Sequence, residues 1–234
     1  MKLNVKLFAD GADKDGMLEM YSNPLISGFT TNPTLMKVAG VKDYRAFALD
    51  ILGSIKDKPI SFEVFSDDFD EMEIQAKEIG SWAENVNVKI PITNTKSESS
   101  VELIDKLSFN NIKINVTAMM TVSQVESVLD PLSKGPGGYV SVFAGRIADA
   151  GLDPLPIMQE VVDLLKDYSN IELIWASPRE LYNVVQADQI GCDIITATND
   201  ILKKLPTLGK DLDQFSLETV QMFFDDAKEA GFSI

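Results

Sequence analysis

The 234-residue chain contains no histidine, and that absence excludes more chemistry than any residue present. Without imidazole there is no Ser-His-Asp triad, no Cys-His pair and none of the usual zinc cages. The single Cys192 can form neither an internal disulfide nor a cysteine-based metal site, which fits a reducing cytosol. Positive charge is scarce as well: 21 Lys and Arg against 36 Asp and Glu leave a net charge of -15. Such a surface argues against nucleic acid as a partner, because phosphate backbones need a cationic face, and it repels an anionic membrane. No run approaches the roughly 20 apolar residues of a membrane span. The opening MKLNVKLFADGADKDG carries no long apolar stretch, which predicts a chain without a signal peptide. Whatever chemistry occurs here uses Lys, Asp, Glu, Ser, Thr, Tyr or the backbone.

What the chain does have is length and apolar content enough for one α/β barrel, with 45% hydrophobic residues and no low-complexity tract. Short β-rich runs alternate with helical patterns. The expected strands are Leu3–Ala9, Leu25–Phe29, Ile60–Phe65, Val86–Ile90, Ile112–Val116, Tyr139–Val142, Ile171–Ala176 and Asp193–Thr196. Between them Phe69, Met72, Ala76, Ile79 and Ala83 recur at helical spacing on one face. Asp153-Pro154 reads as an N-cap followed by proline in a first turn. Eight strands separated by helices predict parallel pairing with right-handed crossovers, closed into a TIM (β/α)8 barrel over residues 1–215. An extra helix from Ser216 to about Ala230 carries Leu217, Val220, Phe224 and Ala227 on one side and has no following strand to serve. It forms a second expected segment, 216–234.

Side chains of a strand alternate between its faces. Ile60, Phe62 and Val64, then Val86, Val88 and Ile90, then Ile112, Ile114 and Val116, suit a helix-facing side. Their neighbours are polar and must point into the barrel. Among these, Glu63, Lys89, Asn115 and Ser141 follow one another at intervals of 26 residues. The spacing predicts equivalent places, late in four successive strands, at the C-terminal mouth where barrel enzymes keep their chemistry.

Lys89 is the lysine expected to face inward near that mouth; Lys113 shares its parity but lies nearer the floor. An amine becomes a nucleophile when burial and neighbours disfavour its protonated form. Schiff-base chemistry also needs proton transfer, for which Glu63 and Asp10 are the candidate carboxylates. Each has a plainer reading: a strand-end lysine reaching for water, an ion pair for Glu63, a loop cap for Asp10.

These segments resemble the transaldolase family. Phe8-Ala-Asp10 followed by Gly28-Phe-Thr-Thr-Asn32-Pro33 resembles its N-terminal signature, and Asn-Val-Lys89-Ile-Pro its Schiff-base strand. Ile114-Asn115-Val-Thr117-Ala is similar to its fifth strand, Val140-Ser141-Val-Phe143-Ala-Gly-Arg146-Ile to its sixth and Ala176-Ser177-Pro-Arg179 to its seventh. The resemblance implies a transaldolase that passes a dihydroxyacetone unit between sugar phosphates in the pentose phosphate pathway of the cytoplasm. It implies no cofactor and no metal. Lys89 would form the Schiff base, Glu63 and Thr117 would hold the catalytic water, and Asp10 would serve C–C cleavage. Asn32, Asn115 and Ser141 would bind hydroxyls, Phe143 would line the pocket, and Arg146, Ser177 and Arg179 would bind phosphate.

Within the family, fructose-6-phosphate aldolases release free dihydroxyacetone and carry Gln and Tyr where this chain has Glu63 and Phe143. The short chain resembles the small subfamily, which implies a ring-like homo-oligomer, often a decamer, with the C-terminal helix on a neighbour; docking on its own barrel is the plainer alternative. Gly11-Ala12-Asp13 departs from the usual Thr-Ala or Thr-Ser after the first aspartate. Ser177 and Glu180 also read as a capping box, with Pro178 at the first helical position. Outside transaldolase chemistry stand a non-catalytic sugar-phosphate sensor and a metal-dependent aldolase, the latter disfavoured by the missing histidines.

Overall fold

The computed structural model describes residues 2–233, so Met1 and Ile234, at the ends of the two expected segments, lie outside the described residues. The chain alternates strand and helix from the start: β1 Lys6–Asp10, α1 Lys14–Ser22, β2 Ile26–Thr30, α2 Pro33–Val38, α3 Tyr44–Ser54, β3 Ile60–Glu63, α4 Phe69–Gly80 and β4 Val86–Pro91. It continues with α5 Val101–Phe109, β5 Ile114–Met119, α6 Val122–Ser133, β6 Gly138–Val142, α7 Ala144–Asp149 and α8 Leu155–Leu165. Then follow β7 Ile171–Trp175, α9 Tyr182–Gln189, β8 Ile194–Thr198, α10 Asn199–Leu202, a 3-10 turn Leu205–Thr207 and α11 Leu212–Glu229. The eight strands pair in chain order, all parallel, and β8 closes on β1: a TIM barrel.

Local chemistry explains the elements. Helix α4 starts where the Asp68 carboxylate accepts from Glu71 N–H at 3.1 Å, with Asp70 and Glu71 in the positive first turn and Lys77 in the last. Its Met72, Ala76 and Ile79 are buried and Phe69 packs partly on the same core, as their spacing predicts; Ala83 also packs there, but from beyond the helix, which ends at Gly80 rather than running on to it. In the strands, Ile60, Phe62, Val88, Ile90, Ile114 and Val116 join the apolar layer between sheet and helices. The barrel interior holds a separate apolar cluster of Phe8, Ile174 and Ile194, with Tyr139 edge-on to Phe8, and Ala176 carries it up to the mouth cavity. Gly28 is there for close approach: a Cβ would stand 2.5 Å from the Phe8 ring. Above that plug the interior turns polar.

Several boundaries move. Strand β5 runs on to Met119 rather than ending at Val116, through a bulge between Val116 and Met119 where Ala118 takes φ of 63°. Helix α8 has Pro154 as N-cap, although the Asp153 carboxylate still accepts from Leu155 N–H at 3.0 Å. The Ser177–Glu180 capping box does not form, because α9 begins only at Tyr182. Asn183 does that work: its Oδ1 accepts from the N–H groups of Arg179 and Glu180. Helix α11 starts at Leu212, four residues before the expected Ser216, because Asp211 caps it through Gln214 N–H. None of its residues is buried, and Leu217, Val220, Phe223 and Phe224 stand exposed.

Candidate active site

The strand ends and following loops at the C-terminal mouth surround a cavity of about 560 Å³. Asp10, Asn32, Glu63, Lys89, Thr117, Ser141, Phe143, Arg146, Ser177 and Arg179 all line it. Lys89 enters from β4 and is only 5% exposed. Its Nζ lies 3.2 Å from Glu63 Oε2 and donates to the Thr31 carbonyl at 2.9 Å. A buried amine thus has one carboxylate in ion-pair contact and one backbone dipole, with the Asp10 carboxyl near enough to feel its charge. That arrangement both compensates its charge and supplies an acceptor for its proton.

Asp10 ends β1. Thr30 Oγ1 donates to Asp10 Oδ1 at 2.7 Å, and Thr196 Oγ1 lies 2.6 Å from Thr30 Oγ1. Each hydroxyl has one proton, so Thr196 must donate to Thr30 while Thr30 donates to the carboxylate. Burial pushes the Asp10 carboxyl above its ordinary range and Glu63 adds to that; Lys89 and the Thr30 hydrogen bond oppose it without cancelling it. The unusual Gly11-Ala12-Asp13 run leaves Asp10 itself free: Gly11 N–H donates to the Thr30 carbonyl and Asp13 caps α1 through Gly16 N–H.

The 26-residue series is only partly level. Glu63 pairs with Lys89 and Lys89 with Asn115, but the partner of Asn115 is Tyr139, two residues before Ser141. Asn115 is early in the extended β5 and fully buried beneath the cavity. Its Oδ1 accepts from Ser141 Oγ at 2.7 Å and its Nδ2 donates to Ser61 Oγ at 3.1 Å. It therefore orients Ser141 from below, and Thr117 occupies the mouth position on β5. The Thr117 hydroxyl is buried with no protein hydrogen-bond partner. Asn32 caps α2 by accepting from Leu35 N–H at 2.9 Å, which leaves its NH2 group as a donor for the cavity.

Arg146 on α7 and Arg179 after β7 flank the rim. Arg179 is engaged by Asp149 at the end of α7, whose carboxyl is held below its ordinary range chiefly by that hydrogen bond. Gly145 sits against the Ser177 carbonyl, 1.6 Å from where a Cβ would be, and Ser177 has φ of 60°. Among the described residues no cluster of His, Cys, Asp and Glu suits a metal ion, and no helix is long and apolar enough to cross a membrane.

Sequence reading missed Thr30, Thr31 and Thr196, which form the inner hydroxyl and carbonyl set. Thr196 ends an expected strand, where threonine is ordinary; Thr30 and Thr31 fall beyond the expected strand Leu25–Phe29, and Thr31 contributes a backbone carbonyl that side-chain parity does not reveal. It also missed Tyr44 on α3, whose hydroxyl hydrogen-bonds the Glu63 backbone. Helical periodicity carries no trace of that contact.

The family described as Transaldolase/Fructose-6-phosphate aldolase matches residues 7–234. A "Probable transaldolase" of Dehalococcoides mccartyi is 33% identical, covering 86% of this chain and 90% of that protein. One of Methanococcus maripaludis is 35% identical over 86% of this chain and 89% of its own. One of Thermoanaerobacter sp. is 32% identical over 98% of this chain and all of the relative. Among solved structures, the Streptococcus agalactiae protein titled a putative copper homeostasis protein CutC superposes with a TM-score of 0.59 at 14% identity, covering 83% of this chain and 98% of that one. At that identity it shows the fold alone.

Proposed function

From the premise that this chain is an enzyme belonging to the transaldolase/fructose-6-phosphate aldolase family, we propose that it transfers a dihydroxyacetone unit from a ketose phosphate to an aldose phosphate through a Schiff base on Lys89. The donors are sedoheptulose 7-phosphate or fructose 6-phosphate and the acceptors glyceraldehyde 3-phosphate or erythrose 4-phosphate, in the pentose phosphate pathway of the cytoplasm. The observation that carries the reading is the buried Lys89 amine, 3.2 Å from the Glu63 carboxylate within a mouth of hydroxyl groups.

In this reading Glu63 accepts the ammonium proton, and the freed amine attacks the ketose carbonyl at C2. Loss of water from the carbinolamine gives an iminium. Glu63 and the otherwise unpartnered Thr117 hydroxyl hold that water. The C3–C4 bond then breaks, its electron pair flowing into the iminium to leave an enamine, while the C4 hydroxyl proton passes to Asp10. A carboxyl with a raised proton affinity suits that exchange, since general acid–base catalysis works best with a group poised near the operating pH. The first aldose departs, the enamine attacks the second aldehyde, and Asp10 returns the proton to the new hydroxyl. The held water then hydrolyses the iminium and restores Lys89. Ser141 and Asn32 bind substrate hydroxyls, with Asn115 acting through Ser141. Arg146, Arg179 and Ser177 take the phosphate at the rim.

The exposed apolar residues of α11 support its packing on a neighbouring subunit in a ring-like homo-oligomer of the decamer kind. Borohydride added with fructose 6-phosphate tests the chemistry. The peptide containing Lys89 gains the mass of a reduced dihydroxyacetone group, and Lys89→Met abolishes both label and transfer. A label on another residue, or none, refutes the assignment.

A further inference from the structure

Strands β2 and β3 run in ordinary parallel register up to the site: Phe29 N–H donates to the Pro59 carbonyl and Thr31 N–H to the Ser61 carbonyl. The next two steps of that ladder would join Glu63 N–H to the Thr31 carbonyl, and the N–H of residue 33 to the Glu63 carbonyl. Residue 33 is Pro33, which has no N–H, and the chain leaves the sheet there to begin α2 under the Asn32 cap. The Glu63 carbonyl is thus left without a ladder partner, and Glu63 N–H has only the Thr31 carbonyl, the one that Lys89 also uses.

A single phenol serves both groups instead. The Tyr44 hydroxyl donates to the Glu63 carbonyl at 2.8 Å and accepts from Glu63 N–H at 2.8 Å. Its ring is wedged edge-on to Phe62 and Phe65 and tilted against Trp82, so the hydroxyl is aimed by packing. The consequence reaches the lysine. Because Glu63 N–H is satisfied by Tyr44, the Thr31 carbonyl is released from the ladder, and that same carbonyl accepts from Lys89 Nζ at 2.9 Å.

We infer that Tyr44 is a positioning residue which sets the site twice over, by fixing the Glu63 backbone and by leaving the Thr31 carbonyl to hold Lys89. This rests on Lys89 and Glu63 having the roles proposed above. Burial raises the Tyr44 phenol above its ordinary range, so it remains protonated and able to donate through the neutral pH region.

The test is Tyr44→Phe, with Trp82→Leu as a control that loosens the ring packing and keeps the hydroxyl. In Tyr44→Phe, kcat and the rate of borohydride trapping at Lys89 should fall together by about ten- to a hundredfold, the scale of a misplaced catalytic group. KM should stay within about twofold, since the phenol is not among the groups lining the cavity. Should Tyr44→Phe not fold, 3-fluorotyrosine at position 44 preserves the packing and, a stronger donor to the Glu63 carbonyl but a weaker acceptor from Glu63 N–H, should turn that N–H back toward the Thr31 carbonyl and still lower kcat at constant KM. An unchanged kcat in the variant used overturns the inference. So does a kcat loss no greater than that of Trp82→Leu at equal loss of Tm, which would make the role packing alone. Absence of any Lys89 label in the unmodified enzyme removes the underlying reading and this inference with it; a normal label beside an unaffected Tyr44→Phe removes only the inference.

Discussion

Arg179 and Asp149 form a forked ion pair across neighbouring β/α units, Nε donating to Oδ1 at 2.9 Å and Nη2 to Oδ2. The carboxylate engages the guanidinium in the planar, two-pronged geometry that a phosphate would use. Asp149 also feels the charge of Arg146, so one carboxylate answers to both cations of the rim. In a molecule of net charge -15, long-range steering opposes an anionic substrate, and affinity must come from short contacts.

The first prediction follows from that competition. Arg179→Ala should lower kcat/KM for phosphorylated acceptors by about ten- to a hundredfold, the loss expected when hydrogen bonds to a charged group are removed. For unphosphorylated glyceraldehyde the loss should be far smaller. Asp149→Asn should act in the opposite sense, lowering KM for the phosphorylated acceptor without changing that for glyceraldehyde. Steady-state kinetics on both acceptors decide it; equal losses for the two would mean that Arg179 serves only its partner Asp149.

Asp10 should trade stability for activity. A carboxyl whose pKa is raised by folding binds its proton more tightly in the folded chain than in the unfolded one. Stability is therefore lost as pH rises from the unfolded pKa, near 3.8, through the higher folded value, and stays lost at neutral pH. Asp10→Asn keeps an oxygen for the Thr30 hydroxyl and removes that cost. Its Tm should exceed the parent's at pH 7, with the gap closing toward pH 4, while transfer falls by about 10²–10⁴-fold, the usual worth of a general acid–base. Melting curves across that pH range check the sign: a variant less stable at pH 7 would show that Lys89 and Thr30 outweigh burial.

Glycines separate close approach from helix propensity. At Gly145 a Cβ would lie 1.6 Å from the Ser177 carbonyl, so Gly145→Ala must move a peptide already at positive φ and disturb the adjoining Arg179. We expect a loss of about 2 kcal/mol or more in stability, as for other strained backbone sites, together with a raised KM for phosphorylated substrates. At Gly80, the last residue of α4, the nearest atoms to a Cβ are Ile112 and Val88 side-chain carbons at 3.5–3.9 Å, ordinary contact. Gly80→Ala should instead gain about 0.4–1 kcal/mol by restricting the unfolded chain. Denaturant unfolding of the pair measures both; similar effects at the two positions would contradict the geometry.

How much of this was legible beforehand depends on which physical signal each feature leaves. Strand alternation wrote the apolar face of β3, β4 and β5 into the sequence, so the inward direction of Glu63, Lys89 and Thr117 could be read from parity. Level within the barrel could not, because Asn115 and Ser141 are offset by the pairing register of β5 and β6, a tertiary property. The Ser177–Glu180 motif misled for a related reason. A capping box is a local pattern, and here Ser177 at φ 60° and Asn183 divert the turn before a helix can start. Asp149 and Tyr44 were invisible, since each matters only through a residue brought to it by the fold.

The last prediction concerns the fate of the enamine. Phe143 leads from β6 into α7, lines the cavity and packs against the inner cluster of Phe8, Ile174, Ala176 and Ile194. Nothing on that ring can give up a proton, so in the proposed mechanism the enamine would be protected on this side until an aldehyde arrives. Tyr139, a phenol packed on the same cluster, is pushed up to about 12, first by burial and then by Glu172. A phenol introduced at 143 would likewise remain protonated at pH 7 and present an O–H to the cavity. Protonation of the enamine carbon gives the dihydroxyacetone iminium, which water hydrolyses to free dihydroxyacetone and Lys89. Phe143→Tyr should therefore raise the ratio of release to transfer by about tenfold or more, below the full worth of a positioned general acid because the phenol is not tuned for the task. Phe143→Leu changes the wall without adding a donor and should leave the ratio where it is. Quantifying free dihydroxyacetone against the transfer product, at fixed fructose 6-phosphate and varied glyceraldehyde 3-phosphate, separates the two. If Phe143→Tyr leaves the ratio unmoved, or Phe143→Leu moves it equally, the absent hydroxyl is not what keeps this site transferring.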